Sequence, residues 1–80
     1  MSSAAVYEFN KKLTNSVKEK FPNTTASVVF GGDFIQDIVI ELKENGITMR
    51  YSPYELFNSS DDYENTISNF IERWAKILSK

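Results

Sequence analysis

The residues able to do chemistry in this chain are carboxylates. Eight of its eleven acids (Asp33, Asp37, Glu41, Glu44, Glu55, Asp61, Asp62 and Glu64) fall between residues 33 and 64, where the only bases are Lys43 and Arg50. Such carboxylates could serve acid–base catalysis, cation binding or recognition of a basic partner. Asp37 and Glu41 are four apart on what reads as one strand, roughly 13 Å at strand rise, too far to act together on one bond. Asp61, Asp62 and Glu64 crowd one helical turn, diverge around it and lack the spaced oxygen ligands of a calcium loop. The chain has neither Cys nor His, which removes thiol nucleophiles, disulfides, Cys/His zinc sites, Ser-His-Asp triads and histidine pH switches. Gly31-Gly32-Asp33 joins two strands with no helix after it, so it is not a phosphate loop. No enzymatic activity, cofactor or metal site is expected. What remains is recognition: an acidic surface can occupy a cationic groove that normally holds nucleic acid. The plainer reading is that Asp61, Asp62 and Glu64 serve helix capping while the strand acids keep a sheet edge soluble.

The elements that must position these acids are legible from spacing. Val6, Phe9, Leu13, Val17 and Phe21 recur at helical steps across Ala4 to Phe21, with Ser3 as a candidate N-cap and Pro22 closing the helix. Thr24 to Phe30 is rich in β-branched residues and reads as a strand. Asn45-Gly46 favours a two-residue type I′ hairpin, which opposes Lys43 to Thr48, Leu42 to Met49, Glu41 to Arg50 and Ile40 to Tyr51. Ile38, Ile40, Leu42, Ile47, Met49 and Tyr51 then share one face, and Asp37, Val39, Glu41, Lys43, Thr48 and Arg50 the other. For the first hairpin, a three-residue loop at Gly31-Gly32-Asp33 puts Ala26, Val28 and Phe30 on the buried face, opposite Ile38, Gln36 and Phe34. A two-residue loop there would bury a different set.

Ser52-Pro53-Tyr54-Glu55 has a cap, a proline at the first helical position and a glutamate three residues after the cap, predicting one turn through Phe57 that packs Leu56 or Phe57 onto the core. Ser60 or Asp61 then caps a last helix in which Tyr63, Ile67, Phe70, Ile71, Trp74, Ile77 and Leu78 keep helical spacing. The expected fold is α+β: one domain over residues 1–80 in the order α-β-β-β-α, a three-stranded antiparallel meander with both helices on one face. At 80 residues, 41% hydrophobic and with a net charge of −2, the chain has room for a single core. Trp74, Phe70 and Ile71 are expected against Ile38, Ile40 and Met49.

Two surfaces could recognise a partner. On the uncovered sheet face Val29, Ile35 and Val39 lie among Asp37, Glu41, Arg50 and Thr48, although Glu41 with Arg50 is also a simple cross-strand pair. Among the acids, Asp33, Asp37, Glu41 and Glu44 have no capping role to explain them, which makes them the expected partner-binding carboxylates. Tyr51, Tyr54, Phe57 and Tyr63 form an aromatic group that a domain of this size would mostly spend on its core. The start Met1-Ser2-Ser3-Ala4-Ala5 has no leader pattern and no apolar run is long enough to cross a bilayer, so a cytoplasmic protein without a membrane partner is expected.

The element order resembles that of the double-stranded-RNA-binding domain. That resemblance implies a lysine-rich start to the final helix and a Gly-Pro-x-His loop, where this chain has Asp61-Asp62-Tyr63-Glu64 and Gly31-Gly32-Asp33, so direct nucleic-acid binding is not expected. Ser27-Val28-Val29-Phe30-Gly31, Ile38-Val39-Ile40-Glu41 with the Asn45-Gly46 turn, and Ile67-Ser68-Asn69-Phe70-Ile71-Glu72-Arg73-Trp74 resemble the texture of small phage anti-CRISPR proteins that block type II effector nucleases. That resemblance implies a phage or mobile-element inhibitor in the host cytoplasm, whose carboxylates pair with PAM-reading Arg and Lys residues and exclude DNA. The alternative is an adaptor or subunit that self-associates, as a homodimer, through a sheet edge or the open sheet face.

Overall fold

The computed structural model describes residues 3–80. Its elements are α1 (Ser3–Lys20), β1 (Thr25–Phe30), a short 3₁₀ turn (Ile35–Asp37), β2 (Val39–Glu44), β3 (Ile47–Tyr51), α2 (Pro53–Asn58) and α3 (Tyr63–Leu78). The strands form one antiparallel sheet in the order β1-β2-β3. The expected α+β order and the packing of helices on the sheet are both present.

One core holds the layers together. Val6, Phe9, Leu13 and Val17 from α1 meet Leu42 from the central strand, Phe57 from α2, and Ile67, Phe70 and Trp74 from α3. These are the helical stripes that the 3.6-residue period selects. Helix α1 already includes Ser3, so its cap position falls outside the described residues. Ser52 caps α2, its Oγ accepting from the Glu55 N–H at 3.3 Å, with Pro53 following in the first turn and Phe57 buried. The cap of α3 is Asp62 rather than Ser60 or Asp61: its backbone is extended, and its carboxylate accepts from the Asn65 N–H at 3.3 Å. Ser60 instead bonds through its hydroxyl to that of Thr66, at 2.6 Å.

The β2–β3 hairpin has the expected register throughout, from Lys43↔Thr48 to Ile40↔Tyr51. Asn45 and Gly46 both have positive φ, 53° and 80°, as a type I′ turn requires.

The β1–β2 register differs from the expected one. Ala26 faces Leu42 and Val28 faces Ile40, and after a bulge Phe30 faces Val39. The connection is not a three-residue loop but the whole of residues 31–38, and β2 starts only at Val39. The physical reason lies in the pattern of the connection: as a strand, Phe34, Gln36 and Ile38 would share the core face and bury an amide without a partner. The 3₁₀ turn instead presents Ile35 to the core and leaves Gln36 exposed, with the Asp37 N–H donating to the Phe34 carbonyl and the Ile38 N–H to that of Ile35. The slide is by an even number of residues, so Ala26 and Val28 keep the helix side of the sheet. Val28 and Phe30 are nevertheless not core.

Candidate protein-binding surface

Strand β1 is an edge strand, so one row of its backbone N–H and C=O groups has no strand beside it. It is fastened at its start. Thr24, buried just before the strand, accepts a hydrogen bond from the Trp74 indole N–H at 3.0 Å and donates one to the Glu44 carboxylate at 2.6 Å. Ala26 then packs against the core. Beyond that point the side chains are uncovered: Val28 and, past the bulge, Phe30 are 61% and 60% exposed, Val29 is exposed, and Phe34 in the following loop is 63% exposed. Tyr7 is a further exposed aromatic, on the first turns of α1. A small hollow of about 100 Å³ lies between α1 and this end of the sheet, with Val6, Tyr7, Val28, Ile35, Ile38 and Pro53 among its walls. Farther along, Asn10, Thr14, Asn15 and Lys18 of α1 face Ala26, Ser27 and Val28 across a groove of about 230 Å³.

The expected site residues are not gathered on one surface. Ile35 and Asp37 do not stand on the open sheet face, because both belong to the 3₁₀ turn; Ile35 packs on the core and Asp37 is half-buried. The Asp37 side chain lies so close over Gly32 that a Cβ added there would stand 2.8 Å from both its Cβ and its Oδ2, which accounts for a glycine at that position. Val39 faces the open side with Phe30 opposite it, and Val29 occupies the bulge. Glu41 accepts from Arg50 Nε at 3.0 Å and its side chain is only 17% exposed, so much of its charge is already answered within the sheet. Glu44, expected to have no structural task, has one in the Trp74–Thr24–Glu44 chain of hydrogen bonds. Asp33 is exposed in the 31–38 connection. The acids therefore divide between the two ends of β2.

The aromatic group is mostly core, as its size suggests. The Tyr51 hydroxyl donates to Asn10 Oδ1 at 2.7 Å, its ring meets Phe70 edge-on at 4.9 Å, and burial pushes the phenol pKa well above its ordinary value. Tyr63, the exposed member, stacks on Phe57 with ring centroids 5.0 Å apart. Among the described residues no group of three or more acidic side chains is placed to hold a metal ion, and no helix is long and apolar enough to cross a membrane.

Charge-based reasoning passes over Val28, Phe30 and Phe34, which the structure exposes together with Val29. A signal for them exists in the sequence: Thr25-Ala26-Ser27-Val28-Val29-Phe30 contains no charge and no proline, two of the devices that blunt an edge. No family model, curated protein or solved structure matches this chain.

Proposed function

We infer that the protein is a non-enzymatic protein-binding module that engages its partner through the free edge of β1 and the apolar side chains at its far end. The observation that carries this reading is the coincidence of an unpaired, uncharged backbone edge with exposed Val28, Val29, Phe30 and Phe34. Single apolar side chains on a surface are ordinary; several on an edge that can still accept a strand are not. Phe30→Ser with Phe34→Ser should cost about 1 kcal/mol or less, because both rings are about three-fifths exposed and outside the core. The same double variant should lose the proteins that the wild type retains from extracts of its own cell. Undiminished retention would overturn the assignment of this end as the contact surface.

A second reading rests on the acids at the same end. Asp33 lies between Phe30 and Phe34 in the chain, and Asp37 follows, so carboxylates accompany the apolar residues. This supports a partner whose apolar socket is rimmed by Lys and Arg, and with it an inhibitor of phage or mobile-element origin acting in the host cytoplasm. Its target would be a nucleic-acid-handling protein such as a CRISPR effector nuclease, with DNA excluded from the basic groove. The test is DNA binding by a guide-loaded type II effector with the protein added across a salt series. Inhibition that weakens as salt rises, and that Asp33→Lys with Asp37→Lys abolishes, is expected. Full DNA binding at low salt with the protein in large excess would overturn this reading.

A further inference from the structure

We propose that the occupant of the β1 edge is a second copy of this chain, paired antiparallel about a twofold axis through Ser27 or Val28 to make one continuous six-stranded sheet. The proposal rests on the reading above that β1 is the contact edge, and adds its occupant.

Three observations favour the same chain over a foreign strand. The first is parity. A strand paired with its own copy about a twofold axis places some residue opposite itself, and any such register keeps the helix layers of both copies on the same side of the joined sheet. Val28 of each copy then covers Val28 or the half-buried Ala26 of the other, on the groove that α1 leaves open beside β1. The second is the absence of a charge barrier: residues 25–30 bring no charge to the junction, so no like charges are opposed across the axis, and the bulge at Val29 is the irregularity the pairing must accommodate.

The third is charge complementarity at both ends. The segment before β1 follows on Lys18-Glu19-Lys20, a helix end with one net positive charge, and Lys18 lines the groove beside Ala26, Ser27 and Val28. The far end of the strand is acidic, because Asp33 is exposed just beyond Gly31-Gly32. Antiparallel pairing sets the start of each strand beside the end of the other. With Ser27 opposite its own copy, the Gly31–Asp33 end of each strand is directed toward the Phe21–Asn23 start of its neighbour. The two lysine–aspartate neighbourhoods are generated twice by one symmetry operation. A foreign strand would have to supply its own complement at both ends.

The chain contains no cysteine, so a single introduced thiol reports directly on self-pairing. Residues opposite each other in antiparallel strands have Cα atoms about 4.5 or 5.5 Å apart, and both distances lie within disulfide range. Ser27→Cys and Val28→Cys, made separately and oxidised mildly, should give a disulfide-linked dimer in at least one case, while Thr48→Cys on the opposite edge should not. Sedimentation equilibrium of the wild type should show a monomer–dimer equilibrium at micromolar concentration that Val28→Lys weakens at least tenfold. Because Val28 is largely exposed, circular dichroism of that variant should match the wild type. A wild type that stays monomeric to millimolar concentration, or a cross-link that forms only through Thr48→Cys, would overturn the proposal. A monomer that still retains proteins through Phe30 and Phe34 would remove the second copy and leave the edge reading standing. A monomer that retains nothing would remove both.

Discussion

The two edges of this small sheet solve the same problem differently. Strand β3 alternates, with Ile47, Met49 and Tyr51 half-buried against the helix layer and Thr48 and Arg50 facing outward. Arg50 is tied to Glu41 on the central strand, so the outer face of that edge carries a charge held in place. Strand β1 has neither feature: of its six residues only Ala26 is half-buried, and none is charged. Charge on an edge discourages another strand from adding to it, whereas an uncharged edge with exposed Val and Phe invites addition. On the proposed function, stability belongs to one side of the molecule and recognition to the other. Trp74, fully buried, spans the boundary, because its indole N–H reaches back to Thr24 and pins the one end of β1 that is not free.

The largest test of that division is Trp74→Ala. Removing a fully buried indole should cost about 3–5 kcal/mol, read from the urea midpoint, since it takes away both packing and the hydrogen bond to Thr24. An effect below about 1 kcal/mol would mean that the α3 side does not carry the fold, and the contrast between the edges would lose its basis.

A smaller effect separates the sides by pH. The Tyr51 phenol, buried on the β3 side with its hydroxyl on Asn10, has its pKa raised above 10 by desolvation. A raised acid is more protonated in the folded state, so its contribution is fully present below the unfolded pKa of about 10 and is lost as pH climbs beyond it. For this one group the slope cannot exceed about 1.4 kcal/mol per pH unit. The expected outcome is a fall of about 1 kcal/mol between pH 10 and 11 that Tyr51→Phe removes, measured by urea denaturation at each pH. A variant with an unchanged alkaline limb would show that Tyr51 is hydrated in solution.

How much of this was legible in the sequence depended on how local the deciding interaction is. Asn45-Gly46 sets its own backbone angles, and every pair from Lys43↔Thr48 to Ile40↔Tyr51 follows from that turn alone. The stripes of α1 and α3 were equally readable, because one helical period decides them. Gly31-Gly32-Asp33 looked like a comparable turn, but its outcome depends on where Ile35 finds apolar company, and that company comes from distant elements. The same holds for the acids. Nothing near Glu44 in the chain announces that Thr24 and Trp74 will recruit it, so its structural task is visible only in the fold. Glu41 was readable both as a ligand and as the cross-strand partner of Arg50, and the structure contains the pair. Simple alternation puts Val28 and Phe30 on one face, but the bulge at Val29 turns Phe30 to the open side opposite Val39, and Val28 lies beside a groove that α1 does not fill.

The smallest expected stability effect bears most directly on the contrast between the edges. Arg50 is 67% exposed, so its pairing with Glu41 is screened by solvent and should contribute less than about 1 kcal/mol. A double-mutant cycle with Arg50→Thr and Glu41→Gln, read by urea denaturation, should return a coupling between about 0.2 and 1 kcal/mol. The consequence for association should be larger than that figure suggests, because the double variant strips β3 of its outward-facing charge and leaves two edges that strands can join. Sedimentation velocity should then show species larger than any formed by the wild type, since a chain with two open edges can extend at both. If the double variant sediments as the wild type does, charge is not what keeps β3 closed, and the protection of that edge belongs to the packing of Ile47, Met49 and Tyr51 alone.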